Sequence, residues 1–167
     1  GSFYEGIKEI RKFKILDSLI KQVKNGQPLL GICLGMQILF ESSMEGNFSK
    51  GLSFLKGNVK SLNCFFDKKN GDNHPSLKLP HVGWNKIFKG DEIKNFNTEL
   101  FSQYYYFVHS YGIKDSPEAE IKCFFEYCDI KALAYIKKQN VVGFQFHPER
   151  SGNKGLELLK YSIDKIT

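Results

Sequence analysis

The stretch Leu29-Leu30-Gly31-Ile32-Cys33-Leu34-Gly35-Met36-Gln37 decides how this chain is read. Leu29 to Ile32, preceded by Pro28, is an apolar run too brief for a helix and suited to a buried parallel strand. From Met36 to Ser43 the pattern turns helical, and Glu45-Gly46 closes it. Between the two, Gly31-Ile32-Cys33-Leu34-Gly35 has the form of a nucleophile elbow with Cys in place of Ser. Its glycines are expected because a tight strand-to-helix turn leaves no room for side chains beside the nucleophile. The turn pushes the sulfur outward and sets Cys33 at a helix N-terminus, where the partial positive charge is expected to lower the thiol pKa. The Leu34 N–H would then help to hold an oxyanion. Taken alone, the pattern competes with the commoner fate of a lone cysteine, a small buried hydrophobe.

A second stretch changes that balance. Gln145-Phe146-His147-Pro148-Glu149 follows directly on the apolar run Val141 to Phe146, which places His147 at the C-terminal end of a strand. Two residues on, Glu149 can bond one ring nitrogen and leave the other to take a proton from sulfur. An isolated His-x-Glu is ordinarily a surface histidine beside an unrelated acid. An elbow cysteine together with a strand-end His-x-Glu supplies nucleophile, base and orienting carboxylate.

Outward from these two stretches, Phe3 to Lys24 carries apolar residues at helical spacing and stops at Asn25-Gly26, so one helix is expected there. Asn58 to Leu62, Val82 to Phe88, Tyr104 to Val108, Glu120 to Phe125 and Ala132 to Ile136 read as strands, and Gly155 to Ile163 as a last amphipathic helix. Strands between helices at both ends predict an α/β sandwich with an antiparallel portion in the middle. With no repeats or linker-like tract, residues 1–167 form one expected domain.

Composition excludes several classes of function. The net charge is +6, but the lysines are dispersed and only Lys68-Lys69 and Lys137-Lys138 adjoin, which favours a solvated basic surface over a nucleic-acid groove. No apolar run is long enough to span a bilayer, and Gly1 to Lys24 mixes charge throughout, unlike a signal peptide, so a cytoplasmic protein is expected. Cys33, Cys64, Cys123 and Cys128 form neither a CxxC pair nor a zinc spacing with histidine. No phosphate-binding GxxxxGK is present, and no metal or cofactor is expected.

Both motifs, in this order, resemble the class I (triad) glutamine amidotransferases, in which an elbow Cys and a distant His-Pro-Glu hydrolyse the side-chain amide of glutamine. Within that family four stretches are most similar to the glutaminase subunits of imidazole glycerol phosphate synthases. They are Gly31 to Gln37 continuing to Phe40-Glu41, Pro80-His81-Val82-Gly83-Trp84-Asn85, Tyr106 to Gly112, and Gln145 through Glu149 to Ser151-Gly152. The resemblance covers essentially the whole chain, and it implies an α/β three-layer sandwich whose central sheet is mostly parallel, with helices on both faces and an antiparallel portion. It implies Cys33 as nucleophile, His147 as general base and acid, and Glu149 as the residue orienting His147. Gln37 and Glu45 match positions that contact glutamine, and the backbone of His109, Ser110 and Tyr111 matches the segment holding its amino-acid end. For the His109 side chain itself a structural role is expected, and His74 and His81 receive no assignment. Trp84 and Tyr106 match the partner-facing side, although a Trp or Tyr in a strand-rich region is more often core.

The resemblance also implies a partner, a (βα)8-barrel cyclase making imidazole glycerol phosphate and AICAR in the histidine pathway, joined as a heterodimer. Arg150 stands where the family usually has Lys, a residue that contacts this partner. Ahead of this point the family carries about fifty further residues that end in a Gly-rich loop. Gly1-Ser2-Phe3 resembles the tail of that loop, so the chain is expected to be truncated at its N-terminus, with the second oxyanion donor at the backbone of Gly1. Two rival expectations share these motifs: a related subunit feeding ammonia to a synthase that forms amidino groups on surface sugars, and a catalytically impaired fragment that retains only binding.

Overall fold

The computed structural model describes residues 1–66, 77–90 and 99–166; His74 and the Lys68-Lys69 pair lie outside the described residues. Two helices open the chain, α1 (Phe3–Lys12) and α2 (Leu16–Lys24), where the sequence predicts one. The break has a local cause. Lys14 adopts a left-handed φ of 55°, and the Lys14 and Ile15 amides turn back to the carbonyls of Arg11 and Ile10. That double closure ends a helix even without glycine at the turn. The break lets α1 bury Phe3 and Ile7 while α2 buries Val23.

After α2 the chain enters β1 (Leu29–Ile32) and α3 (Leu34–Ile38). Two short strands, β2 (Ser42–Ser43) and β3 (Ser49–Lys50), lead to β4 (Asn58–Ser61). The expected helix over Met36 to Ser43 therefore starts earlier and stops after five residues. Its last carbonyls are taken by another segment: Leu52, Leu55 and Ser53 donate their N–H groups to Ile38, Leu39 and Phe40. Those orphan acceptors are satisfied without further helical turns.

The remaining elements are β5 (His81–Lys89), β6 (Tyr104–His109), β7 (Tyr111–Gly112), β8 (Ile121–Tyr127), β9 (Ile130–Lys138), β10 (Val141–Phe144) and α4 (Gly152–Asp164). Six strands form the main sheet in the order β1-β10-β9-β8-β5-β6, and β3-β2-β4-β7 form a smaller one. The α/β class is as expected, but the balance of strand directions is not. Among the described residues only β1 and β10 are parallel in the main sheet; its other pairs are antiparallel. The β8–β9 and β9–β10 connections are hairpins of two residues each, too short for the crossover that a parallel pair needs.

Helices cover both faces. Phe3, Ile7, Val23, Met36, Phe124 and Leu133 belong to one core cluster, whereas Leu158 of α4 packs with Phe107, Phe125, Tyr135, Phe144 and Phe146 in another. Alternation along β8 sends Cys123 and Phe125 to one side and Phe124 to the other. No helix among the described residues is long and apolar enough to cross a membrane.

The β1-to-α3 turn supplies a test. A Cβ at Gly31 would lie 2.6 Å from the Gly35 carbonyl group and 2.7 Å from the Met36 nitrogen, whereas one at Gly35 would meet nothing within 4 Å. Only the first glycine is therefore sterically required. Gly31→Ala should cost about 1–3 kcal/mol of stability by forcing the elbow apart, while Gly35→Ala should stay near wild type. Urea unfolding midpoints of the two variants would check this.

Candidate active site

Cys33 caps β1 with φ 50° and ψ −107°, a strained conformation held by its N–H donating to the Phe144 carbonyl at 2.7 Å. The half-buried thiol lies 3.9 Å from the Val108 carbonyl and receives the Gln145 amide Nε2 at 3.8 Å. Burial pushes the Cys33 thiol pKa up; the Leu34 N–H pulls it down less strongly, and the charges of Glu149 and Glu45 push it up further. The expected lowering at a helix N-terminus is thus reversed. A five-residue helix brings a weak dipole, and desolvation of the thiolate outweighs it. The resting group is a thiol, and its reaction as a nucleophile requires a base.

The candidate for that base follows β10. The chain leaves Phe144, buries Gln145 and Phe146, and presents His147, whose N–H donates to the Tyr106 carbonyl at 2.9 Å. His147 Nδ1 donates to Glu149 Oε1 at 2.7 Å, which leaves Nε2 as the acceptor. Ser151 clamps this segment, its hydroxyl donating to the His147 carbonyl at 2.6 Å and accepting the Tyr106 N–H at 2.9 Å. Close packing behind it comes from Gly155, where a Cβ would overlap the Pro148 carbonyl oxygen and lie 2.7 Å from the Ser151 Cβ. Cys33 and His147 thus follow the C-terminal ends of neighbouring parallel strands, although no hydrogen bond joins their side chains.

A cavity of about 160 Å³ opens at Cys33, lined by Gly1, Leu34, Gln37, Glu45, Val108, His109, Ser110 and Tyr111. The sequence-predicted binding residues therefore converge on one space. Two of them are already committed to protein partners. Gln37 Nε2 donates to the Tyr111 carbonyl at 2.8 Å and to Gln145 Oε1 at 3.0 Å, and Glu45 accepts the Phe3 N–H at 2.8 Å. His147 and Glu149 are not among the residues that line it.

Beside the site, β5 and β6 pair Val82 with Val108, Trp84 with Tyr106 and Lys86 with Tyr104 on one face. Trp84 is 57% exposed and Tyr104 58% exposed, Trp84 meets Tyr106 edge-on, and the Arg150 guanidinium lies 5.0 Å from the Tyr106 ring centre. Trp84 is therefore surface, against the commoner core placement. The opposite face of the same strands buries two histidines the sequence analysis left without a role or with a structural one. His81 Nδ1 and His109 Nε2 are 3.2 Å apart, and His109 Nδ1 lies 2.8 Å from the Tyr111 carbonyl. Burial pushes their pKa values down to about 4 and about 3.

Sequence reasoning assigned no part to Gln145, Ser151 or His81. All three lie inside quoted motifs, but their partners are distant in sequence. Among the described residues, no group of three or more His, Cys, Asp or Glu is arranged to hold a metal ion.

With this geometry in place the family is clear. Residues 5–165 match the sequence model of the class-I glutamine amidotransferases, and the chain belongs to that family. Among its relatives is the imidazole glycerol phosphate synthase subunit HisH of Oceanobacillus iheyensis, 37% identical across 96% of this chain and 74% of that protein. The subunits of the same name from Prochlorococcus marinus and Aquifex aeolicus are 39% and 34% identical, covering 95% and 100% of this chain and 70% and 76% of theirs. A crystal structure of a glutamine amidotransferase superposes with a TM-score of 0.63 at 18% identity, covering 95% of this chain and 71% of that one. A Thermotoga maritima glutamine amidotransferase gives 0.51 at 19% identity, over 99% and 60%.

The buried histidine pair carries a pH signature. Unfolded histidine titrates near pH 6.5, so the unfolded chain takes up these protons first and stability falls as pH drops from 6.5 through about 4 and 3. Each histidine contributes a slope of about 1.4 kcal/mol per pH unit across that window. His81 faces His109, Asn85, Phe107, Phe125 and Tyr127, with no carboxylate side chain among these contacts to offset its protonation. Urea unfolding between pH 4 and 7 should show His81→Phe losing about one proton's worth of this slope.

Proposed function

We propose that this chain is a glutaminase subunit that hydrolyses glutamine and supplies ammonia to a (βα)8-barrel cyclase, for synthesis of imidazole glycerol phosphate and AICAR in the cytoplasm. The observation that carries the reading is the placement of Cys33 and the His147–Glu149 pair after adjacent parallel strands, with Cys33 opening onto a cavity. His147 Nε2 takes the thiol proton as sulfur attacks the carboxamide carbon. The Leu34 N–H, whose influence already lowers the thiol pKa, serves the oxyanion that forms as sulfur attacks, with the backbone at Gly1 on the cavity wall as the second donor. His147 then protonates the departing ammonia, and later activates water against the thioester, releasing glutamate. Glu149 holds the imidazole in the tautomer that leaves Nε2 unprotonated.

Ammonia is useful to an acceptor only as the free base, which favours a docked synthase over release into water. The exposed Val82, Trp84 and Tyr104, with the half-buried Tyr106 beside Arg150, form an apolar, cation-rimmed face suited to that partner. The HisH subunits of Oceanobacillus iheyensis and Prochlorococcus marinus, 37% and 39% identical to this chain, support the same assignment.

Glutamate release from glutamine, measured with and without the cognate cyclase and its nucleotide substrate, tests the proposal. Partner-stimulated turnover is expected. It should vanish in Cys33→Ala and drop about 10²- to 10⁴-fold in Glu149→Gln. Turnover that survives Cys33→Ala would overturn the assignment.

A further inference from the structure

We infer that His81 is a positioning residue of the glutamine pocket, its Nδ1–H fixing the His109 tautomer that in turn holds the Tyr111 carbonyl. The inference rests on the glutaminase reading above and assigns a role to a side chain outside the triad.

One acceptor orders the whole chain of bonds. The Tyr111 carbonyl only accepts, so His109 Nδ1 carries the proton. A neutral His109 then presents a lone pair at Nε2, and His81 Nδ1, 3.2 Å away, must be the donor. The Nε2 of His81 is left as acceptor towards Asn85 Nδ2 at 3.5 Å, itself anchored on the Glu126 carbonyl at 2.7 Å. The opposite tautomer of His109 would set two lone pairs against each other at 2.8 Å. The bond from His109 to Tyr111 spans two residues and braces the bend that carries Ser110, so it shapes the wall of the cavity. The same Tyr111 carbonyl also accepts from Gln37, which reaches Gln145 and, through it, the Cys33 thiol.

Packing alone does not account for a histidine here. His81 stacks on Tyr127, Phe107 and Phe125, with ring centres 4.1, 5.1 and 5.3 Å away. A phenylalanine would fill that box with no polar atom to desolvate. What it would lack is the donor at Nδ1.

The test compares alkylation of Cys33 by a glutamine-analogue diazoketone with alkylation by iodoacetamide, which needs no amino-acid pocket, in the full chain. In His81→Phe the analogue should react roughly tenfold more slowly, the effect of one lost positioning bond, while iodoacetamide reacts within twofold of wild type. His81→Asn, whose amide can replace the Nδ1 donor, should recover most of the analogue rate. An unchanged analogue rate in His81→Phe overturns this inference alone. Failure of the analogue to select Cys33 over Cys64, Cys123 and Cys128 in the wild type overturns the glutaminase reading with it. Nitrogen NMR of the wild-type histidines gives a readout that no variant's folding can obscure. Protons at Nδ1 of both His81 and His109 are expected, and a proton at His109 Nε2 would refute the assignment.

Discussion

Four residue pairs, Leu29–Val141 through Ile32–Phe144, make the parallel ladder on which the site depends. The ladder joins segments more than a hundred residues apart in the chain, and its last bond, from the Cys33 N–H to the Phe144 carbonyl, sets the elbow at its end. From that bond the strained Cys33 backbone faces the chain that continues through Gln145 and Phe146 to His147. A shift of one residue in this register would turn Gln145 from the core and carry His147 away from the cysteine. The Ser151 clamp and the close seating of Gly155 on the Pro148 carbonyl secure the other end of the same arrangement.

At sulfur, burial and the charges of Glu149 and Glu45 act together against the pull of the Leu34 N–H, and they prevail. The thiol is largely buried, with a backbone carbonyl beside it and two carboxylates acting at a distance, all poor company for a thiolate. The neighbouring face of β5 and β6 has the opposite character, with Trp84, Tyr104 and Val82 left exposed. The two faces of this one strand pair divide the labour: the outer one offers an apolar surface, and the inner one holds the histidine chain that braces the cavity wall.

Local chemistry made much of this legible. The apolar run at Leu29–Ile32, the glycine ahead of Cys33, and the His-Pro-Glu after β10 were readable because each depends on neighbours within a few residues. Strand positions in the middle of the chain were readable for the same reason, since side-chain alternation is a local pattern. Strand directions were not, because pairing is a long-range choice. The split between α1 and α2 turned on the left-handed Lys14, a conformation no lysine announces. The early end of α3 turned on amide donors from Leu52, Ser53 and Leu55 that arrive from another segment.

The sequence by itself determined the chemical identities at the site: a cysteine at a steric elbow, a histidine with its carboxylate two residues away, and the glycine that the turn requires. Spacing along a chain specifies such things because they involve adjacent backbone. Only the tertiary structure decided that the thiol is raised rather than lowered, that Gln37 and Gln145 are bonded to one another, that Trp84 is surface, and that His81 and His109 share a proton-ordered contact. Each of these is set by desolvation or by hydrogen bonds between distant segments, and both quantities exist only once the chain has folded and excluded water.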